Sequence, residues 1–137
     1  MKRFEYFEAT ADIGFKAYGN NLNEAFENAG LAMFNIISDT SGVDISREIS
    51  FEISSEDPVA LLYDYLEELL FYHEIEFMLF CDFHVEIDED LHLKATIKGE
   101  PIDWEKHERK TEIKAITFHM MDVKDSSPAE VRAIVDL

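Results

Sequence analysis

Cysteine, proline, glycine and positive charge are all scarce in this 137-residue chain, which has one Cys, three Pro, five Gly and twelve Lys plus Arg. A single Cys81 permits no disulfide within the chain, which excludes a stapled scaffold and is consistent with a reducing compartment. It lies in the apolar stretch Phe77-Met78-Leu79-Phe80-Cys81 and reads as a small core residue. Without Gly- or Pro-rich stretches, internal repeats or low-complexity runs there is no interdomain linker, and one domain over residues 1–137 is expected. No run of about 18 apolar residues occurs, so no membrane-spanning helix is expected. Met1-Lys2-Arg3 leads into an amphipathic strand rather than an apolar leader, so the chain is expected to be soluble, unexported and cytoplasmic.

The twelve basic residues face thirty acidic ones, a net charge of −18. The resulting negative field argues against direct nucleic-acid binding, which draws on Lys and Arg to neutralise phosphates; no basic run is longer than the pair Lys2-Arg3. Cations and basic protein partners are favoured instead. Gly-rich phosphate loops, H-E-x-x-H, paired C-x-x-C and G-x-S-x-G are all missing, which removes the commonest nucleotide, zinc and acyl-transfer chemistries. A free-standing metal-dependent hydrolase would have carboxylates here, but no evident nucleophile or paired acid and base within one motif.

What is present can fill a core: 47% of residues are apolar, with eleven Phe and five Tyr. Phe4 to Phe7 and Ile13 to Tyr18 read as short strands around the polar kink Thr10-Ala11-Asp12. Leu22, Ala25, Phe26, Ala29, Met33, Ile36 and Ile37 form one helical stripe, opened by Asn21 and Glu24 in capping-box spacing. A strand over Arg47 to Ile53 precedes a second helix, capped by Asp57 with Pro58 in its first turn. Its apolar face also carries His73, which reads as a hydrogen-bonded core or boundary residue. Met78 to Ile87 and Leu91 to Ile97 form a hairpin candidate about Asp88-Glu89-Asp90. Glu112 to Met120 and Val131 to Val135 complete the set, separated by the turn-forming run Lys124 to Pro128. The expected fold is α+β, with two helices packed on a mainly antiparallel or mixed sheet of about six to seven strands.

Three places bear on chemistry. Asp12 stands among small residues at a strand entrance, where it can serve a shared site or bond its own turn. Asp136-Leu137 ends an apolar strand with a side-chain and a terminal carboxylate adjacent, hard oxygens of the type that Ca²⁺, Mg²⁺ or Mn²⁺ prefer if that end is docked, and a solvated tail if it is not. His119 could end a strand near such a site, whereas His84, His92 and His107 have no ligand-like spacing.

Together these stretches resemble the archease family. The resemblance is carried by Phe7 to Gly14 with Ala17-Tyr18-Gly19, by Leu22 to Phe26, Ala32-Met33-Phe34, Leu61-Leu62 and Leu66 to Leu70. Lys106-His107-Glu108, Glu112 to His119 and Val135-Asp136-Leu137 continue it to the end of the chain. It implies a non-catalytic activator of an RtcB-type tRNA-splicing RNA ligase, promoting guanylylation and multiple turnover. It further implies a divalent metal, usually calcium, at Asp12, Asp136 and Leu137, with Asp39 and His119 as candidate supporting residues. A chaperone-like interaction module whose metal only secures the last strand is the alternative. Two positions depart from the family's pattern: Ala9 stands where His is common, and Phe118 where Tyr is typical.

Overall fold

The structure, a computed structural model, describes residues 2–137. Its strands are β1 (Phe4–Ala9), β2 (Asp12–Gly19), β3 (Arg47–Ser54), β4 (Met78–Ile87), β5 (His92–Pro101), β6 (Ala115–Lys124) and β7 (Ala129–Asp136). Its helices are α1 (Leu22–Ile37) and α2 (Pro58–Glu76), with a short 3-10 turn at Thr40–Gly42. The α+β expectation holds, and the seven strands fall into two antiparallel sheets, ordered β1-β2-β7-β6 and β3-β5-β4. The first sheet is built from both ends of the chain; the second comes from its middle.

The helices begin where their caps dictate. Asn21 Oδ1 accepts the Glu24 amide at 2.9 Å, and the Glu24 carboxylate returns to the amide of Asn20, one residue before the cap. Asp57 Oδ1 takes the Ala60 amide at 2.8 Å, with Pro58 where no amide is needed. α1 packs on β2 and β7 of one sheet and on β4 of the other, while α2 lies against β6, β3 and β4. Phe15, Phe26, Met33, Leu61, Leu66 and Phe80 are fully buried in the one core between them, each adding roughly 1.5–3 kcal/mol relative to exposure. Two polar residues of α1 also shield an open sheet edge: Asn23 Oδ1 and Glu27 Oε2 accept the Ile87 and Val85 amides of β4.

Some local expectations shift. Cys81 is half-buried at a bulge in β4 rather than deep in the core, although it packs against the core's margin. β6 begins at Ala115 and runs on to Lys124, so His119 lies within the strand and not at its end. The reason is a bulge: between the pairs Thr117–Ile134 and Asp122–Arg132, four residues of β6 face one of β7, which breaks the alternation that marks strands in a sequence. His73 bears out its reading, with Nδ1 2.7 Å from the Met78 carbonyl and its ring edge-on to Phe34.

Candidate metal-binding row on the outer sheet face

Directly opposed residues of an antiparallel pair point to the same face, so the register of the four-stranded sheet defines rows across it. One face carries Ile13, Phe15 and Ala17 into the core under α1. The other reads, row by row, Tyr18-Glu130-Lys124, then Glu5-Lys16-Arg132-Asp122, then Phe7-Gly14-Ile134-Thr117, and last Ala9-Asp12-Asp136-Ala115. The last row is the unusual one. Asp12 and Asp136 are direct cross-strand partners, which sets their Cβ atoms ~4.5–5.5 Å apart. Like charges so placed destabilise a sheet unless something positive joins them. Neither makes an ion pair among the described residues, and alanines on both flanks leave room around them.

The turn before Asp12 is tight. Ala9 and Asp12 pair across Thr10-Ala11, and Ala11 sits at φ 62°, left-handed backbone that costs a residue with a Cβ roughly 1–2 kcal/mol. The C-terminus is docked: the Leu137 side chain packs against the core, and the Lys114 amide donates to the Asp136 carbonyl at 2.8 Å.

The two opposed side-chain carboxylates, with alanines on both flanks, are hard oxygen donors of the kind a divalent cation such as calcium takes. Among the described residues no three His, Cys, Asp or Glu side chains gather closely enough to hold an ion alone.

The register does not bring Asp39 or His119 to this row. Asp39 caps the 3-10 turn after α1, where its carboxylate accepts the Ser41 amide at 3.0 Å and hydroxyl at 2.7 Å; these bonds lower its pKa. His119 is exposed in the β6 bulge, four residues along the strand from Ala115. The two departures separate in the same way. Ala9 stands directly opposite Asp12, whereas Phe118 stacks on Tyr63 of α2 with ring centroids 3.9 Å apart.

Three features escaped the sequence reading: the alanine flanks, the Lys114 main-chain clamp and a buried cluster around His107. There Nδ1 accepts the Asp103 amide at 3.0 Å, and Nε2–H donates to Glu100 at 3.1 Å. Glu100 in turn binds Lys106 through both oxygens, at 2.8 and 2.9 Å. Lys106-His107 already stood out in the sequence, but only the fold supplies Glu100 and Asp44 as partners. A cavity of about 510 Å³ lies at the C-terminal end of α1 between Ile13, Asn35, Ile36 and Lys110, and neither aspartate lines it.

Residues 4–137 match the family model described as Archease protein family (MTH1598/TM1083). Over 141 residues the chain is 55% identical to a Methanothermobacter thermautotrophicus protein named Protein archease, with both sequences covered in full. It is 48% identical over 126 residues to a protein of that name from Sulfurisphaera tokodaii, 91% of each being covered. The solution structure of Methanobacterium thermoautotrophicum protein 1598 matches with a TM-score of 0.89 at 55% identity, covering 100% of both chains.

Proposed function

The chain belongs to the archease family, and from that premise we propose that it activates an RtcB-type tRNA-splicing RNA ligase in the cytoplasm without catalysing the joining itself. The observation that carries this reading is the Asp12–Asp136 register pair, two acids set face to face from opposite ends of the chain. Asp12, Asp136 and the oxygens of Leu137 hold a divalent ion, with calcium the expected one. When bound, the ion supplies positive charge that orients phosphate oxygens in the ligase's guanylylation. The chain's own part is to fix the two carboxylates through the β2–β7 ladder and to keep the last strand docked through the Lys114 amide. The acidic surface complements the basic channel an RNA ligase must possess, so docking is fast and brief, and RNA is not displaced for long.

Asp12→Asn tests the reading. The variant is expected to fold and to lose stimulation of ligase guanylylation, and calcium should no longer raise its melting temperature. In chelator it should be slightly more stable than the parent, by up to ~1 kcal/mol, because one of two opposed charges is gone. Undiminished stimulation would overturn the metal reading.

The docked C-terminus favours a second role for the same ion, securing β7 while protein contacts alone reshape the ligase. Deleting Asp136-Leu137 distinguishes the two. Stimulation lost in proportion to stability supports the structural role; stimulation lost from a chain that remains folded at the assay temperature supports the direct one.

A further inference from the structure

The face that carries the aspartate pair carries a second like-charged pair of opposite sign. Lys16 of β2 and Arg132 of β7 are register partners, both half-buried. They stand two same-face positions from Asp12 and Asp136, or ~13 Å along the same strands. Neither makes an ion pair among the described residues, although most other basic side chains do. The acids flanking them in the row, Glu5 and Asp122, do not come within ion-pair distance of them. Glu5, opposite Lys16, is turned to Lys2 at 2.7 Å and to the Tyr18 hydroxyl, and those bonds, with a smaller contribution from the Lys2 and Lys16 charges, hold its carboxyl below the usual range. Asp122, opposite Arg132, makes no ion pair with it.

Arg132 is held in place. Its Nε donates to the Met120 carbonyl at 2.6 Å, and among the described residues both terminal nitrogens of the fork have no hydrogen-bond partner. Met120 has left-handed backbone at φ 57° in the β6 bulge and a half-exposed side chain, so the bulge builds one wall beside the cations. Phe7 builds another. Its ring lies across Gly14, where an added Cβ would stand 2.2 Å from it, so glycine is what lets the aromatic ring lie flat on the sheet. Phe7 is one same-face step from Lys16, ~7 Å. The cleft between these groups is about 390 Å³, lined by Glu5, Tyr6, Phe7, Lys16, Met120 and Arg132.

Two opposed cations that make no ion pair among the described residues suit an oxyanion, and a guanidinium fork with an ammonium beside it matches phosphate in geometry as well as sign. A flat ring and a polarizable thioether within the reach of one ribose offer a surface for a base. The net charge of −18 works against an extended polyanion, which selects a small ligand over a strand. The geometry points to a mononucleotide subsite, with the phosphate on Lys16 and Arg132 and the base against Phe7 and Met120. It requires no metal and stands independently of the reading of the aspartate row.

The test is an amide-resolved NMR titration of the full chain in chelator, with adenosine monophosphate, adenosine and pyrophosphate as separate probes. Adenosine monophosphate should give saturable shifts at Gly14, Lys16, Met120 and Arg132, and the other two should bind more weakly, each lacking one half of the recognition. Lys16→Gln, a change on the strand's solvent side, should weaken binding roughly tenfold or more through loss of a charge-assisted bond. Arg132→Lys, which keeps the charge and loses the fork, should weaken it as well. Any of four results would overturn the proposal: no saturable shifts, shifts undiminished in Lys16→Gln, pyrophosphate binding as tightly as the nucleotide, or a single-stranded oligoribonucleotide binding more tightly. Because the titration contains neither ligase nor metal, its failure leaves the Asp12→Asn test untouched.

Discussion

The role of a single residue in this protein depends on what stands opposite it. Asp12 and Glu5 are both acids on the outer face, yet Glu5 is satisfied by Lys2 and Tyr18, whereas Asp12 meets only another acid and two alanines. Glu100 shows the opposite extreme. The Lys106 ammonium on its carboxylate, helped by the Asp44 amide and His107, draws its pKa from an ordinary 4.5 down to about 2. A folded-state value below the unfolded one stabilises the fold above about 4.5, and that stability is lost as pH falls toward 2. Urea midpoints of the parent and Glu100→Gln should therefore differ by a constant amount above pH 4.5 and converge as pH falls from 4.5 to 2. Parallel curves throughout that window would show that Glu100 does not carry the effect.

At the scale of elements, bulges decide where side chains go. In β4 the register shifts between Phe80 and Asp82, and the opposing Gly99 comes so close that an added Cβ would stand 1.8 Å from the Leu79 carbonyl oxygen. Backbone cannot yield there as a side-chain tip can, so Gly99→Ala should cost about 1–3 kcal/mol in urea denaturation. Gly42→Ala is the control; nothing lies within 4 Å of its added Cβ, and it should change stability by less than ~0.5 kcal/mol. The β6 bulge has a different consequence. It turns Phe118 onto Tyr63, places Met120 in left-handed backbone and leaves His119 in solvent, away from the aspartates. Helices were legible from their stripes and caps because both signals are local, as Asn21 and Asp57 show. For β6 the strand was legible over Glu112 to Met120, but its bulge and its run on to Lys124 were not, since the alternation is broken at Phe118 to Met121.

For the whole molecule the governing quantity is charge. A net −18 spread over one small domain gives a long-range field that favours basic partners, and that field is screened by salt. The Debye length falls from ~10 Å at ~0.1 M to ~3 Å at ~1 M ionic strength. Association with the ligase proposed as its partner should accordingly slow steeply over that range while the off-rate changes little, as stopped-flow measurements can determine. An association rate indifferent to salt would mean that steering plays no part in docking.

The sequence by itself determined the α+β class, both helices with their caps, the acidity and the lack of motifs for familiar chemistry. Each of these is written in composition or in residues a few positions apart. It also offered Asp12 and Asp136-Leu137 as candidates, each open to a bland reading as a turn former or a solvated tail, and joined them in one site only through the family resemblance. Only the tertiary structure decided that β2 pairs with β7, so that Asp12 stands opposite Asp136, Lys16 opposite Arg132, and alanines fill the flanks. Strand order and register are set by long-range packing: Ile13, Phe15 and Ala17 must reach α1 together with Val131, Ala133 and Val135. That requirement fixes the outward row on the opposite face, and no local pattern near either aspartate records it.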